Sequence, residues 1–201
     1  ATASPDTHVD KVEVLLQGGN ADVSKNAYAL SAGSGTLDIT SSGKFGDGYN
    51  FNNTADNMIF IGGDTNPVDF EDKDFTVEMW YKRAGTSDNA DYIFGIATPA
   101  GAEYMGIRFN NPGSPAGNEL LSMFQNDGGV ALGQDNTGWT DTDWHHIAME
   151  RYGTTITIYK DGVALPKTHD IGTSSYSTSA DARLALGGAG GWTGGLFGDG
   201  I

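Results

Sequence analysis

Two adjacent histidines, His145 and His146, are the residues whose type most directly suggests chemistry. Imidazole nitrogens bind transition metals and transfer protons near neutral pH. The pair lies within an alternating run, residues 144–151, and successive residues of a strand point to opposite faces of a sheet. The two rings therefore cannot converge on one ion. We predict that one histidine is packed with a hydrogen bond and that the other is exposed.

Pairs of carboxylates are the second feature with catalytic chemistry, because glycoside hydrolysis needs two of them roughly 5–10 Å apart. The chain has 26 acidic residues, but no strand carries three of them at alternate positions. Asp69 and Glu71 come nearest, in a loop that contains a proline. Glu78 lies in a strand, with Thr76 and Trp80 as its neighbours on the same face. The chain also has no Gly-x-Ser-x-Gly elbow and no phosphate loop, so we predict that the domain is not an enzyme.

Oxygen-rich loops are candidates for a cation site, because Ca²⁺ prefers several oxygen ligands from carboxylates, amides and carbonyls. Two such loops precede and follow the middle of the chain. The candidate metal ligands are Asn53, Asp56, Asn57, Asp127 and Asp135. None of them has EF-hand spacing, and each residue taken singly also fits an ordinary Asx turn. Calcium is therefore the cofactor that the sequence favours.

Aromatic side chains in polar loops are candidates for stacking on sugar rings. Trp139 and Trp192 lie in loops rich in Gly, Thr and Asp, which favours a position at the surface. Tyr104 is the third candidate. Trp80 and Trp144 lie in alternating strands, where packing in the core or on a sheet is the favoured role. The candidate ligand-binding residues are therefore Trp139, Trp192 and Tyr104.

Composition excludes several classes of partner and site. The chain has 201 residues and a formal net charge of −15, which repels phosphate backbones and disfavours nucleic acid. Anionic membrane surfaces are disfavoured for the same reason, and no apolar run approaches the length of a membrane span. There are no cysteines, so disulfides and thiolate metal sites are excluded.

The elements that position these residues read as strands, because alternation recurs along the chain and no segment has sustained helical periodicity with caps. The first strand is predicted at residues 11–16. The clearest are residues 75–82 and the meander of residues 144–165, whose Asp161 and Gly162 predict a hairpin turn with positive φ at both positions. The remaining predicted strands are residues 36–40, 58–61, 92–96, 105–110, 120–125, 130–132 and 183–186.

Four stretches, in this order, carry a family pattern that spans about three quarters of the chain. They are GKFGDGYNFNNTADNMIFI (43–61), DFTVEMWYK (74–82), the meander that begins with WHHIA (144–165), and the glycine-rich end (184–201). Together they resemble the concanavalin A-like lectin/glucanase superfamily in its laminin-G-like branch. The opening DKVEVLL (10–16) is similar to the versions of this domain found in bacteriophage virion proteins.

The resemblance implies an all-β fold, a jelly-roll sandwich of two antiparallel sheets, which we expect as a single domain over residues 11–201 after a flexible arm at residues 1–10. The family's closing glycine-rich stretch runs into a further strand, so we expect the domain to lack that strand or to complete its edge with another segment. An unpaired sheet edge is otherwise a pairing hazard.

The same resemblance implies a function. Family members mostly bind carbohydrates or proteins, and some branches hydrolyse glycans with an E-x-D-x-E strand that is absent here. We expect a non-catalytic binding or structural module of an extracellular particle, a phage virion, where it acts as a head decoration or tail fibre in a multi-copy assembly. Its partners are then surface glycans or neighbouring virion subunits, and Ca²⁺ is the implied metal. The alternatives are an adhesin domain of a secreted or cell-surface bacterial protein and, less favoured, a glycoside hydrolase or lyase.

Overall fold

The structure is a computed structural model. It describes residues 9–33, 36–51, 58–63, 68, 70, 73–83, 91–97, 103–109, 120–124, 134–136, 141–170 and 182–187. Within these ranges the chain forms one short 3₁₀ helix, Val9–Lys11, and thirteen strands. The strands are β1 Leu30–Ala32, β2 Ile39–Gly43, β3 Gly46–Tyr49, β4 Ile59–Ile61, β5 Phe75–Lys82, β6 Asp91–Ala97, β7 Glu103–Phe109, β8 Leu120–Phe124, β9 Gln134–Asn136, β10 Trp144–Tyr152, β11 Thr155–Lys160, β12 Val163–Asp170 and β13 Arg183–Leu186.

The strands form two large sheets and one separate hairpin. The larger sheet has seven strands in the order β1-β4-β13-β6-β7-β8-β9, and the smaller has four in the order β12-β11-β10-β5. Strands β2 and β3 pair only with each other. Every strand pairing is antiparallel, which confirms the predicted all-β fold of antiparallel sheets. No helix in the described part of the chain has the length and apolar character needed to cross a membrane.

The core lies between the two sheets, because each sheet contributes one of its faces to it. Ile147 and Met149 of β10 are fully buried and belong to the same apolar cluster as Ile96, Ile107 and Leu184 of the larger sheet. Alternation explains the arrangement, since residues two apart on a strand share a face. The opposite face of the four-stranded sheet, which we call the outer face, is therefore left to polar and aromatic side chains.

Several strand predictions are confirmed in place. The bounds of β5 and β13 match the predicted residues 75–82 and 183–186. The predicted meander forms β10, β11 and β12, and its hairpin turn has φ of 52° at Asp161 and 77° at Gly162. The strand predicted at residues 36–40 is displaced to β2, Ile39–Gly43.

The strand predicted at residues 11–16 is wrong. Lys11 ends the 3₁₀ helix, and the rest of the segment makes a single bridge, between Leu16 and Asp22. The reason is a competing acceptor: the backbone N–H of Leu15 donates to the carboxylate of Asp22 at 2.8 Å instead of to a neighbouring strand. Short polar side chains compete with sheet pairing in this way.

Asp22 holds the N-terminal segment together through its hydrogen bonds. Its buried carboxylate accepts hydrogen bonds from the backbone N–H groups of Leu15, Ser24 and Tyr28 and from the hydroxyl of Ser24. Burial raises the pKa of Asp22, but these donors outweigh it and hold the pKa below the ordinary aspartate value. One charged group therefore satisfies three backbone donors that would otherwise lose their partners.

Replacing Asp22 by Ala is expected to destabilise the domain by roughly 3 kcal/mol at neutral pH, because three backbone donors lose their acceptor. The pKa of Asp22 is lowered on folding, so its contribution is present above about pH 4 and disappears as the pH falls through the folded-state value. Urea denaturation at pH 7 and at pH 3 measures both effects. The gap between wild type and variant should narrow at pH 3, while Asp47→Ala, which alters an exposed carboxylate, should change little at either pH. An equal gap at both pH values would contradict this account.

The same segment fixes the β2–β3 hairpin. Gly18 has a φ of +77°, and a Cβ on it would lie 2.1 Å from the carbonyl oxygen of Asp47. The hydroxyl of Tyr49 also donates to the carbonyl of Gly19 at 2.7 Å. The backbones therefore touch where only glycine fits, and the hairpin is held with its tip, Lys44 and Phe45, directed at the outer face.

Candidate functional site

The predicted site residues are not tested by the described part of the structure. Of the metal candidates, Asn53, Asp56, Asn57 and Asp127 lie outside the described residues, as do Trp139 and Trp192. Asp135 lies in β9 and Tyr104 in β7, but the description does not extend to their side chains. The described residues contain no group of three or more His, Asp or Glu side chains that could hold a metal. Calcium binding stays a prediction.

The outer face instead brings together residues from three strands that are distant in sequence. Strand β10 pairs with β5 so that His146 lies opposite Trp80 and Ala148 opposite Glu78. It pairs with β11 on its other side, so that Ala148 also lies opposite Tyr159. Directly opposed residues of an antiparallel pair share a face. A continuous row of aromatic and polar side chains therefore crosses the sheet.

Trp80 is the most prominent member of this row. Its side chain is 39% exposed. Phe45 packs against it edge to face, with ring centroids 5.7 Å apart and ring planes at 89°, and the Lys44 ammonium lies 4.4 Å from the Trp80 ring centroid. Trp80 was predicted to pack in the core or on a sheet, and it packs on the sheet, where its ring stays partly exposed. The physical reason is the hairpin tip, which supports the indole from outside and leaves the core to Met79 and Tyr81.

His146 and Glu78 lie beside the indole. The His146 ring centroid is 5.4 Å from that of Trp80, and its Nε2 lies 3.4 Å from a carboxylate oxygen of Glu78. The side chain of Glu78 is 64% exposed, so its oxygens also face solvent. An aromatic surface bordered by exposed acceptors and donors matches a sugar ring, which has apolar C–H patches and a rim of hydroxyls.

An open depression of about 530 Å³ lies further along the same face. It is lined by Glu150, Tyr152, Thr155, Thr157 and Tyr159. The hydroxyl of Tyr159 donates to a carboxylate oxygen of Glu150 at 2.9 Å, and this bond raises the pKa of Tyr159 above its ordinary value. The depression is thus lined by hydroxyls and one carboxylate.

His145 points away from this row, as the alternation predicted for adjacent histidines. Its Nδ1 lies 2.6 Å from Asp161 and its Nε2 lies 2.9 Å from Asp141. Hydrogen bonds with the backbone N–H of Asp143 and with the ring of His145 lower the pKa of Asp141. Burial raises the pKa of Asp161, but hydrogen bonds with the ring of His145 and with the backbone N–H of His146 outweigh burial, so the pKa of Asp161 is also lowered. Both ring nitrogens contact carboxylates, so His145 bridges the loop before β10 and the β11–β12 turn. Its role is structural, and the histidine pair forms no joint site.

Sequence reasoning missed the hairpin tip and the Glu150–Tyr159 end of the face. The signal was present in part, because alternation alone places His146 with Glu150, and Thr157 with Tyr159. The missing information was the pairing of β5 with β10, which are separated by about sixty residues in the chain.

Solved structures share this fold. Domain 4 of AbnA, a GH43 extracellular arabinanase from Geobacillus stearothermophilus, solved with arabinotriose, matches with a TM-score of 0.60 and 19% identity, covering 90% of this chain and 84% of that one. The binding domain of Botulinum neurotoxin DC, solved with rat synaptotagmin II, matches with a TM-score of 0.55 and 12% identity, covering 89% of this chain and 44% of that one. At such identities the likeness shows the fold alone. No curated protein matches the sequence.

A family model also matches the sequence directly. It is described as Laminin_G_3, concanavalin A-like lectin/glucanases superfamily, and it matches residues 61–199. These residues include β5, the whole β10–β12 meander and β13. Because the match extends over more than half of the chain, the protein belongs to the Laminin_G_3 family of the concanavalin A-like lectin/glucanases superfamily.

Proposed function

We propose that this domain is a non-catalytic carbohydrate-binding module and that its ligand lies on the outer face of the four-stranded sheet. One observation carries the proposal: Trp80 is 39% exposed on the outer face of β5, the strand at one end of the four-stranded sheet, and packs against Phe45. Exposed aromatic rings with polar neighbours are costly to leave in water and favourable to cover with a ligand of matching polarity. The arabinotriose in the complex of AbnA domain 4 is in keeping with a sugar ligand on this fold.

We also propose that the domain is not catalytic, although two carboxylates lie near each other on the outer face. Glu78 and Glu150 are diagonal neighbours across β5 and β10, roughly 7–8 Å apart at their Cα atoms. Inverting glycosidases hold their two carboxyl groups roughly 6.5–9.5 Å apart, so two neighbouring glutamates on one face raise the question of catalysis. However, the two carboxylates lie on an open sheet face, Glu78 beside His146 and Glu150 bonded to Tyr159. General acid catalysis is favoured by a cleft that excludes water, and an open face supports binding instead.

We further propose an extracellular setting, on a phage virion as a head decoration or tail fibre present in many copies. The DKVEVLL opening supports this setting, and so does the net charge of −15, which favours solubility outside the cell. The rival setting is an adhesin domain on a secreted or cell-surface bacterial protein. Immunogold labelling with an antiserum to this domain separates them, because label on bacterial surfaces and none on particles would refute the virion setting.

A glycan array followed by calorimetry tests the binding proposal. Wild-type protein should bind at least one class of neutral oligosaccharide with a Kd between about 1 μM and 1 mM, the range expected of a shallow open site. A reducing-sugar assay on the bound glycans should show no release over hours. Binding to no glycan would reject the proposal. Release that disappears in Glu78→Gln or Glu150→Gln would show an enzyme instead.

A further inference from the structure

The depression at Glu150 lies on the same face as Trp80 but is separate from it. On β10, His146 marks the indole end and Glu150 the other end, four residues along. At about 3.3 Å per residue, the two ends are roughly 13 Å apart. This distance exceeds the span of one sugar ring, so a single monosaccharide bound at Trp80 does not reach Glu150.

Between the indole end and the Glu150 end, the surface of the outer face is low. Ala148 lies midway on β10 and presents only a methyl group to the outer face, where it opposes Glu78 on one side and Tyr159 on the other. Larger side chains rise at both ends, with Trp80 and Phe45 at one and Tyr152 at the other; Phe45 is 81% exposed and Tyr152 76% exposed. We call this low stretch between two aromatic ends the trough.

We infer that the trough is one extended binding site with two subsites, and that its ligand is a neutral oligosaccharide lying along β10 from Trp80 to Tyr159. The inference rests on the proposed carbohydrate-binding function. Trp80 and Phe45 provide the stacking subsite. Glu150, Thr157 and Tyr159 provide a hydroxyl-binding subsite, in which the carboxylate accepts from sugar hydroxyls and the side-chain hydroxyls donate or accept.

The charge of the trough selects against anionic sugars. Glu78 and Glu150 both present carboxylates to the face, and a uronate or sulfate group there would be repelled. Two cations of the described residues, Lys44 over the indole of Trp80 and Lys82 opposite Trp144, lie at the indole end, away from Glu150. Hydroxyl groups, in contrast, gain charge-assisted hydrogen bonds from the same carboxylates.

Two variants test the second subsite without touching the first. Glu150→Gln removes the charged acceptor, and Tyr159→Phe removes the hydroxyl that holds it, while both preserve side-chain shape. The probe is an array of neutral and acidic oligosaccharides in length series from one to six residues, followed by calorimetry on the neutral glycans that bind. Each variant is expected to weaken binding of the longer neutral glycans about tenfold and to leave short ones unchanged. Glu13→Gln, on the N-terminal segment, is the matched control, and melting curves check folding.

The outcomes separate this inference from the function on which it rests. Affinity that rises with glycan length in wild type and loses that rise in both variants supports two subsites. Affinity that is independent of length, unchanged in both variants, or restricted to acidic glycans overturns the inference and leaves a carbohydrate-binding module with a single site. Failure of wild type to bind any glycan overturns both the inference and the proposed function.

Discussion

Trp80→Ala is expected to lower the affinity for the bound glycan about 30-fold, which corresponds to about 2 kcal/mol. A loss of this size is typical when an aromatic hot-spot residue at the centre of an interface is replaced by alanine. The indole is a 39% exposed aromatic ring of the outer face, and its removal also takes away the ring that Phe45 and Lys44 contact. Calorimetry against the glycan selected on the array measures the change.

Stability is expected to change little in this variant, because Trp80 lies outside the apolar core. Trp80→Phe, which keeps a smaller ring, should restore part of the affinity. Val163→Ala removes another exposed apolar side chain, at the start of β12, and serves as the matched control. If Trp80→Ala bound the glycan as well as wild type while remaining folded, the outer face would not be the binding site.

Gly187→Ala is expected to destabilise the domain by roughly 3–4 kcal/mol. Gly187 follows β13 with a φ of +69°, and a Cβ built on it would lie 2.2 Å from Cδ1 of Phe51. The left-handed backbone costs an alanine about 1 kcal/mol. The overlap adds a further 2–3 kcal/mol or so, because the ring of Phe51 is buried and has little room to move. Urea denaturation measures the total.

The chain offers a matched control for the backbone cost alone. Gly153, in the turn between β10 and β11, has a φ of +61°, and a Cβ on it would meet no atom within 4 Å. Gly153→Ala should therefore cost only about 1 kcal/mol. In a Phe51→Leu background, the additional loss caused by Gly187→Ala should shrink toward the Gly153→Ala value, since the clash is relieved. Equal costs for the two glycine variants in wild-type background would show that contact with Phe51 is unimportant.

Most of the correctly predicted strands follow from the alternation of apolar and polar residues along the chain. The bounds of β5 and β13, the β10–β12 meander and the turn at Asp161 and Gly162 follow from local pattern, because side-chain period and turn chemistry are local properties. The N-terminal prediction failed for an equally local reason, since Asp22 accepts the hydrogen bonds that a strand would have made elsewhere.

The sequence predicted only which residues of a single strand share a face in the candidate site. The alternation in β10 and β11 correctly groups His146 with Glu150 and Thr157 with Tyr159. Which of the two groups of side chains faces solvent depends on the second sheet, which packs on Ile147 and Met149. The placement of Trp80 depended further on a hairpin that lies thirty residues earlier in the chain. The local pattern predicted packing in the core or on a sheet for Trp80, because alternation does not show which face of β5 the second sheet covers.

Local sequence is enough to predict antiparallel strands, the pattern of the meander and the opposite directions of His145 and His146, because each depends on residues close together in the chain. Only the tertiary structure joined β5 to β10, laid Phe45 and Lys44 on Trp80, and put Glu150 and Tyr159 in line with them. A binding face is made of contacts between distant segments. The order of such segments in a sheet is set by the packing of the whole core, which no single stretch specifies.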